Sequence, residues 1–421
     1  MTKHLLVLGL VLGLGLAACT PAGTGGAAAA GSGDEQATLQ FWFWDGAMED
    51  QYNLMFESFS AQHPGIDFAV SITPWSDYWT RLQTALPAGA GPDIFWLNHA
   101  NAVSYMPSDL LMPLDDFNLD FSPFASSLYE PFVLDGVRYG VPFFYDTIGL
   151  FYNKDLFDEA GIPYPPERGW TWEGLREAAM ALTIVEGGET VQWGLSLVTG
   201  IQSGVGNFVM QNGGRVWADD RMALELDNPA ALEAMQFMYQ LMFEDQVALT
   251  PLEMSQLNNQ GQLFGNGMVG MSIMGLWRVP IYYEFLGDRV GIAHLPMRER
   301  EAAAVHNLAY VSYANTPYAD AVRLFMEFAT TQEHGDFVAP VFLPAHSGSQ
   351  HIWFERFPDL NLQVFGDAME YAFPQLIAGR NAGPAATALE QELERAFVSG
   401  EGITMEMLEQ INAAVNEVVN Q

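Results

Sequence analysis

Strand and helix patterns alternate along residues 39–97, and this alternation limits the possible folds more than any other feature of the sequence. The first stretch between strands carries apolar residues at i, i+3, i+4 and i+7, which is the spacing of one helical face. Alternating strands and helices favour an α/β protein with a parallel sheet that is covered on both faces. The predicted strands are residues 39–44, 66–72 and 93–97, and the predicted helices are residues 48–62 and 77–86.

Polar and aromatic side chains directly follow two of these strands. Trp44 and Asp45 lie at the end of the first strand, and Asn98 and His99 follow the third. In open α/β sheets, ligands bind beyond the carboxyl ends of the strands. We therefore expect these four residues to lie near a binding site.

Helix signals continue through the rest of the chain. Further helices are predicted to begin after Thr171, at Asn228, at Thr316 and at Thr404, because Thr and Asn are favoured caps and two of these residues precede a proline. The chain has 421 residues, which exceeds the roughly 250 to 300 residues that one hydrophobic core usually covers. We therefore expect two domains or lobes.

The amino terminus has the pattern of a secretory leader. Lys3 precedes an apolar run over residues 5–16, and small residues follow that run. The run is shorter than the roughly 20 residues of a membrane-spanning helix, and no later segment has the length and hydropathy of one. The sequence therefore predicts an exported protein whose leader is residues 1–18.

The end of the leader, Leu-Ala-Ala-Cys, resembles a bacterial lipobox, in which the cysteine becomes the acylated first residue of the mature protein. Cys19 is the only cysteine of the chain, so a disulfide framework and a cysteine zinc site are excluded. Residues 19–37 are rich in Gly, Ala and Ser, which predicts a flexible tether. Several acyl chains on Cys19 would give a stable membrane anchor.

The charge balance argues against nucleic-acid binding. The chain has 16 Lys and Arg against 51 Asp and Glu, a formal net charge of −35, and its only lysines are Lys3 and Lys154. Binding to a polyanion requires clustered basic residues that release counterions. The acidity itself is open to three interpretations: a saline habitat, a cationic ligand, or a solubilising surface.

No motif predicts a cofactor, a metal or a catalytic centre. Residues 265–270 fit G-x-G-x-x-G, but residues 271–274 read as a strand, whereas a dinucleotide site requires a following helix. His346 and His351 are five residues apart, which is wrong for one helical face. Carboxylates are so numerous that pairs suited to glycoside cleavage carry no information.

The tryptophans are more informative than the carboxylates. Of the 11 tryptophans, Trp44, Trp75 and Trp277 lie beside turn residues rather than inside periodic runs. Indole rings stack on the apolar faces of sugars, whose hydroxyls need carboxylate and amide partners. These three residues are therefore candidates for a small-molecule site.

Several segments carry a family resemblance when taken in order. The most specific is YGVPFFYDTIGLFYNKDLF at residues 139–157, and the others are FSAQHPGI (59–66), AGAGPDIF (88–95), LLMPLDDF (110–117), TWE (171–173), QNGG (211–214), FGNGMVGM (264–271) and GLW (275–277). They resemble the extracellular solute-binding proteins of ABC importers, in the sugar-binding family that includes maltose-binding protein. The resemblance covers nearly the whole mature chain.

This resemblance implies a two-lobed, periplasmic-binding-protein-like fold of type II. Two α/β lobes are joined by hinge strands, and the ligand lies in the cleft between them. The first crossing strand is expected near residues 144–150. Lobe 1 is expected to comprise residues 38–146 and about 303–345, and lobe 2 residues 147–302 and about 346–421.

The resemblance also implies which residues contact the ligand. Trp277 matches the stacking aromatic of the family, Asp146 an acidic contact, and the loop with Gln202 and Ser203 matches a contact loop loosely. At Ala100 the maltose-binding pattern has an acidic residue, so the resemblance does not extend to maltose specificity. The implied ligand contacts are Trp44, Asp45, Trp75, Asn98, His99, Asp146, Gln202, Ser203 and Trp277.

Together these observations predict a sugar-binding lipoprotein of an ABC transporter. We expect a monomer without cofactor or metal, held outside the cytoplasm by Cys19, that delivers a sugar or oligosaccharide to a permease. One alternative is a binding protein for a non-sugar solute, either a polyol or a cationic compound. The other alternative is a secreted carbohydrate-active enzyme, although the principal prediction is that the protein has no enzymatic activity.

Overall fold

The structure is a computed structural model that describes residues 36–219, 221–257, 260–375 and 381–421. The predicted leader, Cys19 and the predicted tether up to residue 35 lie outside the described residues. Within the described ranges, no helix combines the length and the apolar character needed to cross a membrane.

Helices make up much of the described chain, and the predicted ones are present. The helices are α1 (Glu49–Gln62), α2 (Trp75–Ala85), α3 (His99–Tyr105), α4 (Ser126–Tyr129), α5 (Lys154–Ala160), α6 (Trp172–Leu182), α7 (Val205–Gln211), α8 (Pro229–Tyr239), α9 (Pro251–Leu257), α10 (Gln260–Gly265), α11 (Val279–Leu286), α12 (Ala319–Phe328), α13 (Gln332–Val338), α14 (Gln350–Phe354), α15 (Gln363–Asp367), α16 (Ala382–Val398) and α17 (Met405–Val419).

Capping residues explain where several helices begin. Thr171, Asn228 and Thr404 cap α6, α8 and α17, and the side-chain oxygen of each accepts a hydrogen bond from a backbone N–H of the first turn. The prediction at Thr316 is wrong by a few residues. Helix α12 begins at Ala319. The Thr316 hydroxyl accepts a hydrogen bond of 3.1 Å from the backbone N–H of Tyr318, in the turn before the helix, and donates one to the buried Asp93 carboxylate.

The strands include every one predicted from the sequence. They are β1 (Ala37–Phe43), β2 (Ile66–Ile72), β3 (Ile94–Asn98), β4 (Val133–Leu134), β5 (Val137–Arg138), β6 (Gly140–Asn153), β7 (Ile184–Glu186), β8 (Glu189–Ser196), β9 (Val269–Gly275), β10 (Val290–Ala293), β11 (Ala303–Ser312) and β12 (Ala372–Pro374). Strand β9 begins within the glycine-rich residues 265–270 and includes residues 271–274, as predicted; no helix follows the glycines directly, as a dinucleotide site would require.

Ten of these strands form one sheet, and the sheet is mixed rather than parallel as predicted. The order is β2-β1-β3-β11-β6-β9-β8-β7, with β10 beside β6 and β12 beside β11. Strand β1 is parallel to β2 and β3, which helices α1 and α2 connect to it. Strand β11 enters from a distant part of the chain and runs antiparallel to both β3 and β6. The parallel pairing therefore holds only where helical crossovers link neighbouring strands.

Strand β6 joins the two halves of the sheet, of which the first contains β2, β1, β3 and β11 and the second contains β9, β8 and β7. Up to Thr147 it pairs with β11, and from Ile148 onward it pairs with β9. All fourteen of its residues are buried. This change of partner falls inside the predicted crossing segment, residues 144–150, while the limits of the two lobes stay a prediction.

Two large hydrophobic clusters fill the two halves of the sheet. The first surrounds Trp172 and takes in α6, α7, α8, α16 and α17. The second surrounds Phe41 and Trp96 of the first half, and it also includes Tyr282 of α11. Because Tyr282 belongs to the predicted lobe 2, the two halves share apolar packing in addition to the crossing strands.

His334 in α13 makes the stability of this second cluster dependent on pH. Its side chain is buried, and its Nε2 lies 3.0 Å from the Tyr310 hydroxyl. Burial lowers the pKa of His334 from 6.5 to about 3, with a smaller effect of His346. The unfolded chain therefore takes up a proton first as the pH falls, and the free energy of unfolding decreases between pH 6.5 and 3.

We expect His334→Gln to flatten this pH dependence, since glutamine can reach Tyr310 but does not titrate. One such residue contributes a slope of up to about 1.4 kcal/mol per pH unit. Urea unfolding at intervals from pH 7 to 4 measures the slope, and His351→Gln, at an exposed position, is the matched control. Equal slopes in wild type and His334→Gln would contradict this account.

Candidate functional site

Two cavities meet at helix α16 and together form a cleft. The larger has a volume of about 1000 Å³ and lies between α16 and the segment that contains α2 and α3. The smaller has a volume of about 510 Å³ and lies between α16 and residues 197–203. Glu390 and Glu394 line both cavities, so the two spaces are adjacent. Both volumes lie in the range of about 300 to 1000 Å³ that is typical of ligand pockets.

The walls of the larger cavity come from different halves of the sheet. Helices α2 and α3 pack on β3 in the first half, whereas α16 belongs to the cluster around Trp172 in the second. The walls touch at one end, where the backbone N–H of Gly383 donates a hydrogen bond of 3.1 Å to the Ser104 hydroxyl. A ligand in this cavity would contact both halves of the molecule.

Trp75 is the aromatic surface of the cleft. Its side chain is 49% exposed although two other tryptophan rings pack against it. The rings of Trp44 and Trp79 meet it edge-on, with centroid distances of 5.1 Å in both cases. Trp44 in turn packs edge-on against the buried Trp96 at 5.0 Å. Trp44 therefore supports the exposed ring of Trp75 and does not itself line the cavities.

Two buried polar groups on this wall have no hydrogen-bond partner among the described residues. These are the Tyr105 hydroxyl and the Trp79 Nε1, and both residues line the larger cavity. Burial raises the pKa of Tyr105 to about 12, so its hydroxyl keeps its proton. Unsatisfied buried polar groups are uncommon in proteins. Their position in a cavity wall makes Tyr105 and Trp79 candidates for ligand contacts.

Helix α16 brings two carboxylates to the cleft. Glu390 accepts a hydrogen bond of 3.1 Å from the backbone N–H of Ile201, and Glu394 lies one turn further along the helix. Both side chains open to solvent. Neighbouring protein atoms displace water from the Glu390 carboxyl and raise its pKa. The negative charge of Glu394 raises this pKa further. The carboxylates can accept hydrogen bonds from hydroxyls or amines of a ligand.

Asp146 lies in a polar cluster where β6 crosses between the two halves. Its carboxylate is 2.9 Å from the Nδ1 of His306 on β11 and accepts a hydrogen bond of 3.1 Å from the Gln202 side chain. Burial raises the pKa of Asp146, and His306 opposes that shift. Gln202 and the buried Ser203 line the smaller cavity. Asp146 therefore orients a residue that faces the cleft.

Asn98 is the last residue of β3 and His99 is the first of α3, and both are buried. The Asn98 side chain caps α3 and accepts hydrogen bonds from the backbone N–H and the side chain of Asn101, at 2.9 and 2.8 Å. His99 Nδ1 accepts a hydrogen bond from the backbone of Asn307, while its Nε2 has no partner in the described chain. Burial lowers the pKa of His99, and the neighbouring His306 lowers it further.

Asp45 and Trp277 lie outside the two cavities. Asp45 accepts a hydrogen bond of 3.0 Å from the backbone of Ala47 and so caps the short turn after β1. Trp277 is half-buried and packs against both hydrophobic clusters. It lies two residues after Gly275, which pairs with Ile148 beside Asp146. Its ring is thus near the crossing strand.

The sequence missed several residues of the cleft. Trp79 could have been found, since it follows Trp75 by four residues and shares its helical face. Nothing in the sequence relates the carboxylates of α16 to Trp75, because about 300 residues separate them. In the described part of the chain, no group of three or more metal-binding side chains is placed to hold a metal ion. The cleft residues that were missed are Trp79, Asn101, Ser104, Tyr105, Glu390 and Glu394.

Residues 23–336 match the family described as bacterial extracellular solute-binding protein. A binding protein of Brucella abortus is 29% identical over 222 residues, 52% of this chain and 52% of its own length, so the match spans about half of that relative. An arabinooligosaccharide-binding protein of Halalkalibacterium halodurans is 25% identical over 311 residues, which is 70% of this chain and 67% of that protein.

The fold also matches solved structures. An ABC substrate-binding protein of Listeria monocytogenes, solved in complex with cycloalternan, superimposes with a TM-score of 0.82 at 22% identity. The match covers 91% of this chain and 99% of that one. The described chain therefore has the two-lobed fold of solute-binding proteins, with crossing strands between the lobes.

Proposed function

Because this chain belongs to the family of bacterial extracellular solute-binding proteins, we propose that it captures a sugar or oligosaccharide and delivers it to an ABC permease. The cleft is the observation that carries the proposal: an exposed indole ring on one wall faces carboxylates on the other. Indole suits the apolar face of a sugar ring, and carboxylates accept its hydroxyls. The arabinooligosaccharide-binding relative agrees with this ligand class.

The proposed mechanism is closure of the two lobes around the ligand. Trp75 and Glu390 belong to opposite walls, so a ligand can touch both at full contact only when the walls approach each other. Binding then shifts the population toward the closed state in proportion to the difference in affinity. Strands β6 and β11 act as the hinge in this proposal, with lobe 1 formed by residues 38–146 and about 303–345, and lobe 2 by residues 147–302 and about 346–421.

The proposed contacts fall into three roles. Trp75 stacks on the ligand, and Trp277 and Trp44 contribute further aromatic surface around the ligand in the closed state. Asp45 and Asp146 accept hydroxyls, Asn98 acts as donor and acceptor, and His99 either contacts the ligand or supports its loop. Gln202 and Ser203 extend the contacts into the smaller cavity, which they line.

Calorimetric titration of the protein from Thr20 onward tests this proposal. The panel contains neutral mono- and oligosaccharides, polyols and cationic solutes, and each mixture is then analysed for cleavage products. We expect binding of one sugar per chain with the sugar recovered intact. Cleaved products would favour a carbohydrate-active enzyme, and binding confined to non-sugars would overturn the ligand class.

We further propose that Cys19 carries the lipid that holds the protein outside the cytoplasm as a monomer. Cells fed labelled palmitate are expected to label the wild-type protein but not Cys19→Ala, since the acyl chains need the cysteine sulfur and the new terminal amine. Thr20→Ala is the matched control and keeps its label. An unlabelled wild-type protein would contradict the anchor.

A further inference from the structure

The two carboxylates of the cleft have no cation beside them. Glu390 and Glu394 line both cavities, and no lysine or arginine is among the described residues that line either one. Like charges four residues apart on a helix repel each other. A third carboxylate on the same helix, Glu392, lies off the cavities and pairs with Arg395. The uncompensated charge is thus specific to the side of α16 that faces the cleft.

A second, independent observation points to a ligand at the same place. The Tyr105 side chain is more than nine-tenths buried, lines the larger cavity together with both carboxylates, and has an unpartnered hydroxyl among the described residues. A buried hydroxyl without a partner is uncommon in proteins. Its position in the wall of the larger cavity therefore favours a ligand that also carries polar groups.

The aromatic wall suits a cation as well as a sugar. The exposed ring of Trp75 borders the cavity that contains Glu390 and Glu394. An indole face attracts cations through its quadrupole and also stacks on sugar C–H groups. Indole and carboxylate together therefore match a sugar that bears a protonated amine better than either a neutral or an acidic sugar.

Closure of the cleft strengthens this preference. When the walls approach each other, Glu390 and Glu394 lose water, and a buried carboxylate without a countercharge is costly. Hydroxyls of a neutral sugar would satisfy the lone pairs but would leave the negative charges uncompensated. A ligand amine satisfies both requirements, and an acidic sugar would add repulsion.

We propose that the ligand is an amino sugar, free or within an oligosaccharide, whose protonated amine lies between Glu390 and Glu394 while Trp75 covers its ring. This inference rests on the proposed sugar-binding function and specifies its ligand class. The amine donates charge-assisted hydrogen bonds to the two carboxylates. The overall net charge of −35 would also attract such a cation toward the protein at low salt.

Matched ligand pairs test the inference by calorimetry at pH 7 and low salt. The pairs are glucosamine with glucose, and the β-1,4-linked glucosamine trimer with cellotriose, which differ only in the amines. We expect the aminated member of at least one pair to bind ten times more tightly, about 1.4 kcal/mol. Added salt should weaken its binding and leave the neutral member unchanged.

Substitutions in α16 test whether Glu390 and Glu394 cause the preference for the aminated ligand. Glu390→Gln and Glu394→Gln are each expected to remove most of the preference for the amine, measured as the ratio of the two affinities within a ligand pair. Glu392→Gln, on the same helix, is the matched control and keeps the preference. Glu394→Gln keeps the assignment testable if Glu390→Gln does not fold, because Glu394 makes no hydrogen bond or ion pair with the described residues.

Three outcomes overturn this inference or its premise. If neutral sugars bind and the aminated probes bind no more tightly, the amino-sugar class is wrong and the sugar-binding function stands. If the preference exists but both α16 variants retain it, the assignment to Glu390 and Glu394 is wrong. If no sugar binds, whether neutral or aminated, the proposed function itself fails.

Discussion

Trp75→Ala is expected to weaken sugar binding at least tenfold, about 1.4 kcal/mol, with little loss of stability. The ring is 49% exposed on the wall of the larger cavity, so its removal deletes a stacking surface and leaves no buried void. Aromatic contacts of this kind carry much of the energy in small-molecule sites. Calorimetric titration with the best ligand of the panel measures the loss.

Phe285→Ala is the matched control for this variant. Phe285 is an exposed aromatic residue of α11 that lines neither cavity, so its removal should leave the affinity unchanged. Trp277→Ala in the same titration tests the stacking role that the family resemblance implies for Trp277. Trp75→Ala tests the stacking role that the cavity indicates for Trp75. Unchanged affinity of Trp75→Ala would remove Trp75 from the site.

Trp96→Ala is expected to lower the free energy of unfolding by about 3 to 5 kcal/mol, the usual range for deleting a buried tryptophan. Trp96 is fully buried, and its Nε1 donates a hydrogen bond of 2.7 Å to the Tyr52 hydroxyl. Its ring also lies against Phe43 and Trp44. The substitution therefore creates a large cavity and loosens the support of Trp75. Urea unfolding measures the change in stability.

Trp96→Phe separates the contribution of the hydrogen bond to Tyr52 from the contribution of ring packing. It keeps most of the ring and removes the hydrogen bond to Tyr52, so we expect a loss of about 1 to 2 kcal/mol. Near-equal losses in the two variants would assign the effect to the hydrogen bond and not to packing. A loss below about 1 kcal/mol for Trp96→Ala would contradict the role of this residue in the core.

Local structure could be predicted well from the sequence because its determinants are local. The helical face that contains Tyr52, Met55, Phe56 and Phe59 is buried as its spacing predicts. Caps at Thr171 and Thr404 set helix starts through bonds within one turn. The helix predicted to begin at Thr316 begins at Ala319. No local pattern indicates the other contact of Thr316, since its hydroxyl donates to Asp93, more than 200 residues earlier in the chain.

The sheet and the cleft depend on pairings that no local pattern encodes. The mixed sheet arises because β11 inserts between β3 and β6. The sequence predicted Trp44 to lie near a binding site, and the structure places its ring edge-on against the exposed ring of Trp75. The opposite wall was missed, because α16 reads as an ordinary amphipathic helix whose acidic residues are common throughout this chain. Only tertiary structure brings Glu390 and Glu394 to face Trp75 across the larger cavity.

The central claim is that the ligand lies in the cleft between Trp75 and α16, and a crystal structure of the complex tests it most directly. The crystals would contain the tightest ligand found in the titrations. The account predicts ligand density against the Trp75 ring and within hydrogen-bond distance of Glu390 or Glu394, with the walls closer together than in the free protein. Density elsewhere on the molecule, with both cavities still open, would contradict it.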